Sequence, residues 1–350
     1  MPTPFETLSD IYNHGFDTLV DVRSPAEFAE DHIPGAINLP SLSNEERAEV
    51  GTIYKQVSPF LARKIGAAKV LRNVAHHIDQ SLMDHDGAWQ PLVYCWRGGQ
   101  RSGVFAMVLR EIGWRADTIK GGYQTYRRLV QSALYDTPLP HKLVLLDGYT
   151  GTAKTALLAK LQARDVQTID LEGLAAHRGS LLGAMPGGQP AQRGFESQLM
   201  LALSQLDPTR PTIVEAESSK IGQINLPPQL WALMTKAPRI NLTAPIAART
   251  AYLADAYADI LADPDTVRHR LNPLRKSRGH ATVDHWQSLQ DAGDYAGLAA
   301  ALMQDHYDPS YAKSRRIEDR NILADIHAET LCDTGQNKAA DAIAKVIADT

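Results

Sequence analysis

The segment LVYCWRGGQRS, residues 92–102, places a cysteine where a short apolar strand meets a glycine-rich turn. Apolar residues then recur at helical spacing from Val104 to Ile112, so the turn leads into a helix. Turn amides, the helix dipole and the guanidinium groups of Arg97 and Arg101 would favour the thiolate of Cys95 over the thiol. The segment therefore predicts an α/β fold with a reactive cysteine in an anion-binding turn.

The surroundings of Cys95 distinguish it from an ordinary core cysteine, which has no need of two glycines and two arginines close by. We predict Cys95 as the catalytic residue, with an anion held by Arg97, Gly98, Gly99 and Arg101. The Cys-x5-Arg spacing suits two chemistries, because such a thiolate can attack phosphorus or accept a chalcogen atom. The spacing alone leaves both open.

Length and charge limit the class of protein. A chain of 350 residues predicts about two domains. Lysine and arginine number 36 against 40 aspartates and glutamates, a net charge of −4, which excludes a wholly basic nucleic-acid binder but not local basic surfaces.

Cysteine usage and hydropathy indicate the compartment. Two cysteines, Cys95 and Cys332, cannot form the disulfide framework of a small secreted domain. No run approaches the roughly 20 apolar residues of a membrane span. We therefore expect a cytoplasmic protein with no membrane partner.

A proline-broken stretch at residues 135–141 predicts a domain boundary. An apolar strand follows at 142–147, and further buried strands of a parallel sheet are predicted at 167–171 and 212–216, while from Pro245 the pattern is helical to the end. The predicted ranges are 1–137 for an N-terminal α/β domain, 138–245 for a parallel-sheet α/β domain and 246–350 for a helical C-terminal region.

The strand at 142–147 runs into a second glycine-containing turn and helix, the arrangement in which backbone N–H groups and a lysine face phosphate oxygens. Ala153 stands where a Walker loop has the glycine before the lysine, which argues against ordinary ATP hydrolysis but leaves a diphosphate plausible. The predicted phosphate-binding residues are Gly148, Gly151, Lys154 and Thr155.

Polar groups follow two predicted strands, where α/β sheets place their ligands. Glu215 and Glu217 are candidate Mg²⁺ carboxylates, or simply polar residues at a strand end. Asp170, His177 and Arg178 are candidate substrate or Mg²⁺ residues, or the solvated face of a helix. No dedicated metal site and no tightly bound cofactor are expected.

Four segments of the first 135 residues resemble a rhodanese domain, in the same order and at the same separations. The segments are DVRSPAEF at 21–28, HIPGAINLP at 32–40, CWRGGQRS at 95–102 and KGGY at 120–123. The resemblance implies the rhodanese fold, with sulfur or selenium carried on the loop cysteine as a persulfide or perselenide. Some members of this group are phosphatases, and some have lost the cysteine.

A second resemblance spans nearly the whole chain. A rhodanese domain fused to a P-loop-like domain, with CWRGG at 95–99, the polar stretch 170–180, VEAES at 214–218 and YDPSY at 307–311, is similar to the tRNA 2-selenouridine synthase family. The resemblance implies that selenium replaces sulfur in the 2-thiouridine at the tRNA wobble position. It further implies selenophosphate as donor and an S-geranyl intermediate made from geranyl diphosphate.

The resemblance assigns roles to both turns. Cys95 would carry or deliver selenium, Arg97 and Arg101 would hold selenophosphate, and Lys154 with Thr155 would bind the prenyl diphosphate. A basic stretch could contact tRNA phosphates, or simply keep one face soluble. Its residues are Arg268, Arg270, Arg275, Lys276 and Arg278.

Three alternatives stay open. A Cys-x5-Arg phosphatase fits the spacing but lacks an evident general acid near the loop. An RNA-binding adaptor with a degenerate rhodanese module would not need Cys95. A general thiosulfate sulfurtransferase offers no reason for the second domain. A rhodanese-type sulfurtransferase or the phosphatase could instead be fused to a nucleotide-binding domain.

Overall fold

The computed structural model describes residues 2–261, 263–315 and 321–350. The chain divides into two compact units, Met1–Pro138 with Pro190–Ser204, and Leu139–Gln189 with Gln205–Thr350. The first junction lies at the predicted proline-rich stretch. Residues 190–204 pack with the first unit, whereas the sequence analysis placed them in the parallel-sheet domain. The second boundary, predicted at residue 245, stays a prediction.

The secondary structure of the described residues is mixed. The strands are β1 Thr18–Asp21, β2 Ile37–Asn38, β3 Pro91–Tyr94, β4 Asp117–Thr118, β5 Lys142–Gly148, β6 Gln167–Ile169, β7 Pro211–Glu215, β8 Lys220–Ile221, β9 Ile224–Asn225, β10 Arg239–Thr243 and β11 Ile322–His327. The helices are α1 Leu8–Tyr12, α2 Pro25–Glu30, α3 Asn44–Gln56, α4 Pro59–His77, α5 Gln100–Ile112, α6 Tyr123–Gln131, α7 Lys154–Gln162, α8 Leu171–Leu174, α9 Gln192–Ser204, α10 Pro228–Lys236, α11 Ile246–Ala256, α12 Ala258–Leu261, α13 Pro264–Leu271, α14 Arg275–Arg278, α15 His280–Asp291, α16 Tyr295–Leu302, α17 Asp308–Arg315 and α18 Asp333–Ala348.

The first unit is built on a parallel sheet with the strand order β2-β1-β3-β4. Every residue of β3 is buried, as expected for an inner parallel strand covered on both faces. At the start of α2 the Glu27 carboxylate accepts the Ser24 backbone N–H at 3.1 Å, and the two residues form a capping box. Gly113 ends α5 in the left-handed region at φ +115°.

The second unit contains the parallel sheet β11-β10-β5-β7-β6 and the short antiparallel pair β8-β9. The strand β5 is central, so the turn after Gly148 lies at the carboxyl edge where such sheets bind ligands. The prediction of a helical pattern from Pro245 to the end was wrong at Ile322–His327, which forms the edge strand β11. Pairing with β10 supplies the hydrogen bonds that local sequence could not reveal.

The helices after the sheet have a core of their own. It is formed around the fully buried Trp286, with Val267 and Leu271 from α13 and Leu298 and Leu302 from α16. The mixed α/β fold, with its helical C-terminal region, matches the predicted fold class.

Candidate functional site

Cys95 lies directly after β3, and α5 begins five residues later at Gln100. The Cys95 side chain is 3% exposed. The Ser102 hydroxyl, on the first turn of α5, donates a hydrogen bond to its sulfur at 3.2 Å. The thiol is therefore held at a helix N-terminus, as predicted from the local sequence.

Opposing effects act on the pKa of Cys95. Burial raises this pKa. Hydrogen bonds from the Ser102 hydroxyl and from the Ser102 and Gly99 backbones lower it, as does the charge of Arg101. The lowering effects are larger, so the pKa lies below its ordinary value. The thiolate form of Cys95 is thus more favoured than it would be for a cysteine that is buried without these hydrogen bonds and this charge. This is the electrostatic setting that a nucleophile or a chalcogen carrier requires.

The two predicted anion-binding arginines are placed differently. The guanidinium of Arg101 donates to the Glu27 carboxylate at 3.0 Å, whereas Arg97 is exposed on the loop. Burial raises the pKa of Glu27 and the Arg101 pair lowers it, leaving it below its ordinary value. Arg101 is thus a positioned cation already balanced by a carboxylate, and Arg97 is the more accessible of the two.

The turn at the KGGY segment, residues 120–123, holds the Cys95 loop through backbone hydrogen bonds. The backbone N–H of Tyr123 donates to the Cys95 carbonyl at 2.9 Å, and that of Gln124 donates to the Trp96 carbonyl at 3.0 Å. Gly98 and Gly122 have φ of +63° and +60°. A Cβ on Gly98 would lie 2.6 Å from the Ile119 carbonyl oxygen, so the two backbones approach as closely as only glycine allows.

Gly122→Ala should destabilise the protein by roughly 1–3 kcal/mol or more, because φ is +60° and the new Cβ would meet the Cys95 carbonyl oxygen and the Gly98 nitrogen. Urea unfolding measures the effect. Gly103→Ala is the matched control, since Gly103 lies in α5 with open space around it and should gain up to about 1 kcal/mol. Equal stability of Gly122→Ala and the wild-type protein would contradict this close approach.

A buried ion pair lies under the same loop. Arg23 and Asp21 are 1% and 0% exposed, and their closest charged atoms are 2.5 Å apart. The Arg23 guanidinium also donates to the Asp31 carbonyl at 2.6 Å and lies 3.9 Å from the centre of the Tyr123 ring. The Tyr123 hydroxyl donates to the Asp31 carboxylate at 2.6 Å. This network ties the DVRS segment, and Asp31 just before the HIPG segment, to the KGGY turn.

The second predicted site is the turn between β5 and α7. The Lys154 ammonium donates to the Gly148 carbonyl at 2.9 Å, so the lysine folds back across the turn. Gly151 has a φ of +83°, and a Cβ there would lie 2.9 Å from Leu253. The first N–H groups of α7 have no acceptor within their own helix. Lysine, turn and helix N-terminus are thus arranged as in turns that bind anions, and phosphate binding at this turn stays a prediction.

Ala153 occupies the conformation that glycine would take, with φ +61° and ψ +30°. Its methyl group is buried in the apolar core with Val144, Leu146 and Leu157. The methyl group therefore does not prevent the left-handed backbone that the sequence led us to question, although that backbone costs about 1–2 kcal/mol for a residue with a Cβ.

Carboxylates lie beside this turn. The Thr155 hydroxyl donates to Glu172 at 2.9 Å. Burial, and then the neighbouring Glu217, raise the pKa of Glu172 to about 8. Burial also raises the pKa of Glu217, against the lowering effect of Lys154. Glu215 is 0% exposed, and one of its oxygens accepts the Leu171 backbone N–H at 3.0 Å.

Glu172 is a site residue that sequence reasoning missed. The signal was its place in the polar stretch 170–180 after β6, but nothing local indicates that its side chain reaches Thr155. Glu172, Glu217 and Glu215 all act on the charge of Lys154. One oxygen of Glu215 accepts the Leu171 N–H, and its other oxygen is buried without a hydrogen-bond partner in the described structure. In the described part of the chain, no group of three or more histidine, cysteine, aspartate or glutamate side chains could hold a metal ion. Mg²⁺ therefore stays a prediction.

Glu172→Gln should weaken the pH dependence of stability. In the wild-type protein, the folded state keeps a proton on Glu172 between its ordinary pKa of 4.5 and about 8, while the unfolded state loses it. The free energy of unfolding should therefore fall as pH rises through this window. A tenfold change in proton affinity is worth about 1.4 kcal/mol, and the fall should reach at least that.

The control is Glu111→Gln, which removes an exposed carboxylate of α5 and should leave the slope unchanged. Urea unfolding at pH 5, 6.5 and 8 gives the slopes. If Glu172→Gln keeps the wild-type slope, Glu172 is not the protonated group.

The three residues predicted after β6 as substrate or Mg²⁺ residues, Asp170, His177 and Arg178, interact with neighbouring protein groups. Asp170 caps α8 by accepting the Gly173 N–H at 2.6 Å. His177 is buried, and burial followed by the charge of Arg270 lowers its pKa. The Arg178 guanidinium lies 5.1 Å from the centre of the Tyr257 ring. Their role in binding a substrate stays a prediction.

The predicted basic stretch is partly neutralised. Arg268 pairs with Asp291 at 2.5 Å, and Arg275 pairs with Asp284 at 2.6 Å. Arg278 donates to the His306 carbonyl and the Ser310 hydroxyl. Lys276 is exposed and Arg270 half-buried. Contact of this stretch with RNA stays a prediction.

Among the described helices, none is long and apolar enough to cross a membrane.

Comparisons with known families match both parts of the chain. The family described as "tRNA 2-selenouridine synthase AAA domain" matches residues 141–272, and the rhodanese-like domain matches residues 5–129. The first match extends beyond the predicted boundary at 245. The second confirms the rhodanese resemblance of the N-terminal segments.

Curated relatives span most of the chain. The tRNA 2-selenouridine synthase of Nitrosomonas europaea is 35% identical, covering 81% of this chain and 75% of the relative. Those of Alcanivorax borkumensis and Chromohalobacter salexigens are each 32% identical, covering 84% of this chain and 88% and 86% of the relatives. By identity and coverage together, this chain belongs to the tRNA 2-selenouridine synthase family.

Proposed function

We propose that this protein is a tRNA-modifying enzyme that replaces the sulfur of the wobble 2-thiouridine with selenium. The observation that carries the proposal is the pair of anion-binding turns in one chain. Cys95 lies at the N-terminus of α5 with a hydroxyl donor at 3.2 Å, and Lys154 lies across the turn before α7. One turn suits a thiol-dependent chalcogen step, and the other suits a phosphate-bearing donor.

The first reaction is transfer of a geranyl group. The sulfur of 2-thiouridine attacks C1 of geranyl diphosphate, the C1–O bond breaks, and diphosphate leaves with the bonding electrons. Negative charge grows on the leaving oxygen, so Lys154, the Thr155 hydroxyl and the turn N–H groups stabilise the transition state. Mg²⁺, if bound, would lie near Thr155 and Glu217 and neutralise diphosphate charge.

The second reaction installs selenium. The Cys95 thiolate attacks the phosphorus of selenophosphate, the Se–P bond breaks, and hydrogen selenide leaves as the anion. The selenide adds at C2 of the S-geranyl base, the C2–S bond breaks, and the original sulfur leaves as geranylthiol with the selenide proton. Hydrolysis of the S–P bond then releases phosphate and restores Cys95. Cys95 delivers the selenium in this way, and Arg97, Arg101 and the loop amides hold the selenophosphate anion. Arg101 already balances Glu27, so Arg97 contributes the additional charge.

The macromolecular partner of the protein is tRNA, and the protein acts on it in the cytoplasm. The residues that would contact its phosphates are Arg268, Arg270, Arg275, Lys276 and Arg278, through a charge interaction that salt weakens. Since Arg268 and Arg275 are already paired with Asp291 and Asp284, exposed Lys276 contributes most of the free charge among these five.

Nucleoside analysis of tRNA tests the proposal. Cells that contain the protein should have 2-selenouridine in their tRNA, and cells that lack it should keep 2-thiouridine. A phosphate-ester assay and a thiosulfate sulfurtransferase assay on the purified protein address the two rival activities. Unchanged 2-selenouridine without the protein would overturn the proposed function.

A further inference from the structure

An apolar cavity lies next to the phosphate-binding turn in the second unit. Its interior, the space open to a water-sized group, is about 30 Å³, and about 370 Å³ is free of protein atoms when the solvent at its mouth is included. Its wall is formed mainly by leucines, among them Leu253, Leu298 and Leu302. Thr150 of the turn and Ser180 are also part of the wall. The cavity is thus apolar along most of its surface and polar where it meets the turn.

Leu253 belongs to both features. It lines the cavity, and a Cβ on Gly151 would lie 2.9 Å from its side chain, so it contacts the turn directly. Arg249, one helical turn earlier in α11, donates to the Thr150 carbonyl at 2.9 Å. The same guanidinium forms two hydrogen bonds with Asp308, at 2.9 and 2.6 Å. The hydrogen bonds of Arg249 therefore fix the position of the turn relative to α11, which forms part of the cavity wall.

The polar groups in the wall are partly satisfied by one another. The Ser180 and Tyr257 hydroxyls lie 2.8 Å apart and share a hydrogen bond. Both residues line the cavity, yet their hydroxyls are thereby less available to a ligand. What remains is a largely hydrocarbon surface, which favours an apolar ligand group over water.

We propose that this cavity binds the hydrocarbon tail of the prenyl donor and that Ala299 and Leu302 set the chain length it accepts. The inference rests on the proposed prenyl transfer at the neighbouring turn. A ligand with a diphosphate at Lys154 has its tail directed across Thr150 toward Leu253. Both α16 residues line the cavity, Ala299 as the small side chain and Leu302 as a large one.

Competition between dimethylallyl, geranyl and farnesyl diphosphate on tRNA containing 2-thiouridine tests the inference. Ala299→Phe should lower the rate with geranyl relative to dimethylallyl diphosphate by at least tenfold, because the ring occupies the space of the tail. Leu302→Ala should raise the rate with farnesyl relative to geranyl diphosphate by at least tenfold. The control is Ala296→Phe, an exposed position on the same helix, which should leave both ratios unchanged.

The outcomes separate the two levels of the proposal. If the wild-type protein transfers geranyl and both cavity variants keep its donor ratios, the cavity assignment is overturned while the proposed function stands. If the wild-type protein transfers no prenyl group from any donor, the prenyl-transfer proposal fails and the cavity assignment fails with it. If Ala299→Phe does not fold, Leu302→Ala decides.

Discussion

Cys95→Ser should reduce the formation of 2-selenouridine by about 10³-fold or more while leaving the geranylation of 2-thiouridine intact. A serine hydroxyl in the same place cannot supply an ionised nucleophile at neutral pH to attack the phosphorus of selenophosphate. Hydrogen bonds from Ser102 and the Gly99 backbone favour the thiolate. Mass spectrometry of digested tRNA nucleosides should then show the S-geranyl nucleoside accumulating.

The matched control is the other cysteine. Cys332 is exposed at the N-terminus of α18, and Cys332→Ser should leave both products at their wild-type levels. Thermal unfolding of both variants shows whether they remain folded. Wild-type amounts of 2-selenouridine from a folded Cys95→Ser variant would remove Cys95 from the reaction.

Lys154→Ala should lower geranyl transfer by about 10²-fold or more, because the lost ammonium no longer neutralises the departing diphosphate. Selenium transfer to tRNA that already carries the S-geranyl group should persist. The measurement follows each step separately, with geranyl diphosphate and 2-thiouridine tRNA in one reaction and S-geranyl tRNA with selenophosphate in the other.

Lys160→Ala provides the control on the same helix, since Lys160 pairs with the exposed Asp333 at 2.5 Å. It should leave both steps unchanged. Because Lys154 also lies near Glu172 and Glu217, the stability of the Lys154 variant is measured beside its activity. Normal geranylation by a folded Lys154→Ala protein would exclude this turn from the first step.

Both turns could be predicted because their information is local. In each case an apolar strand is followed within a few residues by glycines, a cation and a helix, and the backbone conformation follows from that order. The predicted strand, turn and helix around Gly148 to Thr155 form even with Ala153, since the turn holds this alanine in a left-handed conformation. Phosphate binding there stays a prediction. The strand β10 carried a local signal that was missed, because polar and apolar residues alternate in the sequence RINLT of Arg239–Thr243.

The contacts that hold the turns in place could not be predicted. Arg249 and Asp308 are 59 residues apart, and their two hydrogen bonds depend on how α11 and α17 pack. Tyr123 reaches Asp31 across 92 residues. Single-sequence patterns record helix faces and strand alternation, whereas such pairs arise only once the chain has folded. Glu172 was missed for the same reason.

The most direct test combines purified protein, tRNA containing 2-thiouridine, geranyl diphosphate and selenophosphate, followed by nucleoside mass spectrometry. The two-turn mechanism predicts that 2-selenouridine forms in the complete mixture together with free geranylthiol. Without geranyl diphosphate the tRNA should keep 2-thiouridine, and without selenophosphate it should stop at the S-geranyl nucleoside. Selenium incorporation at the full rate in the absence of geranyl diphosphate would contradict it.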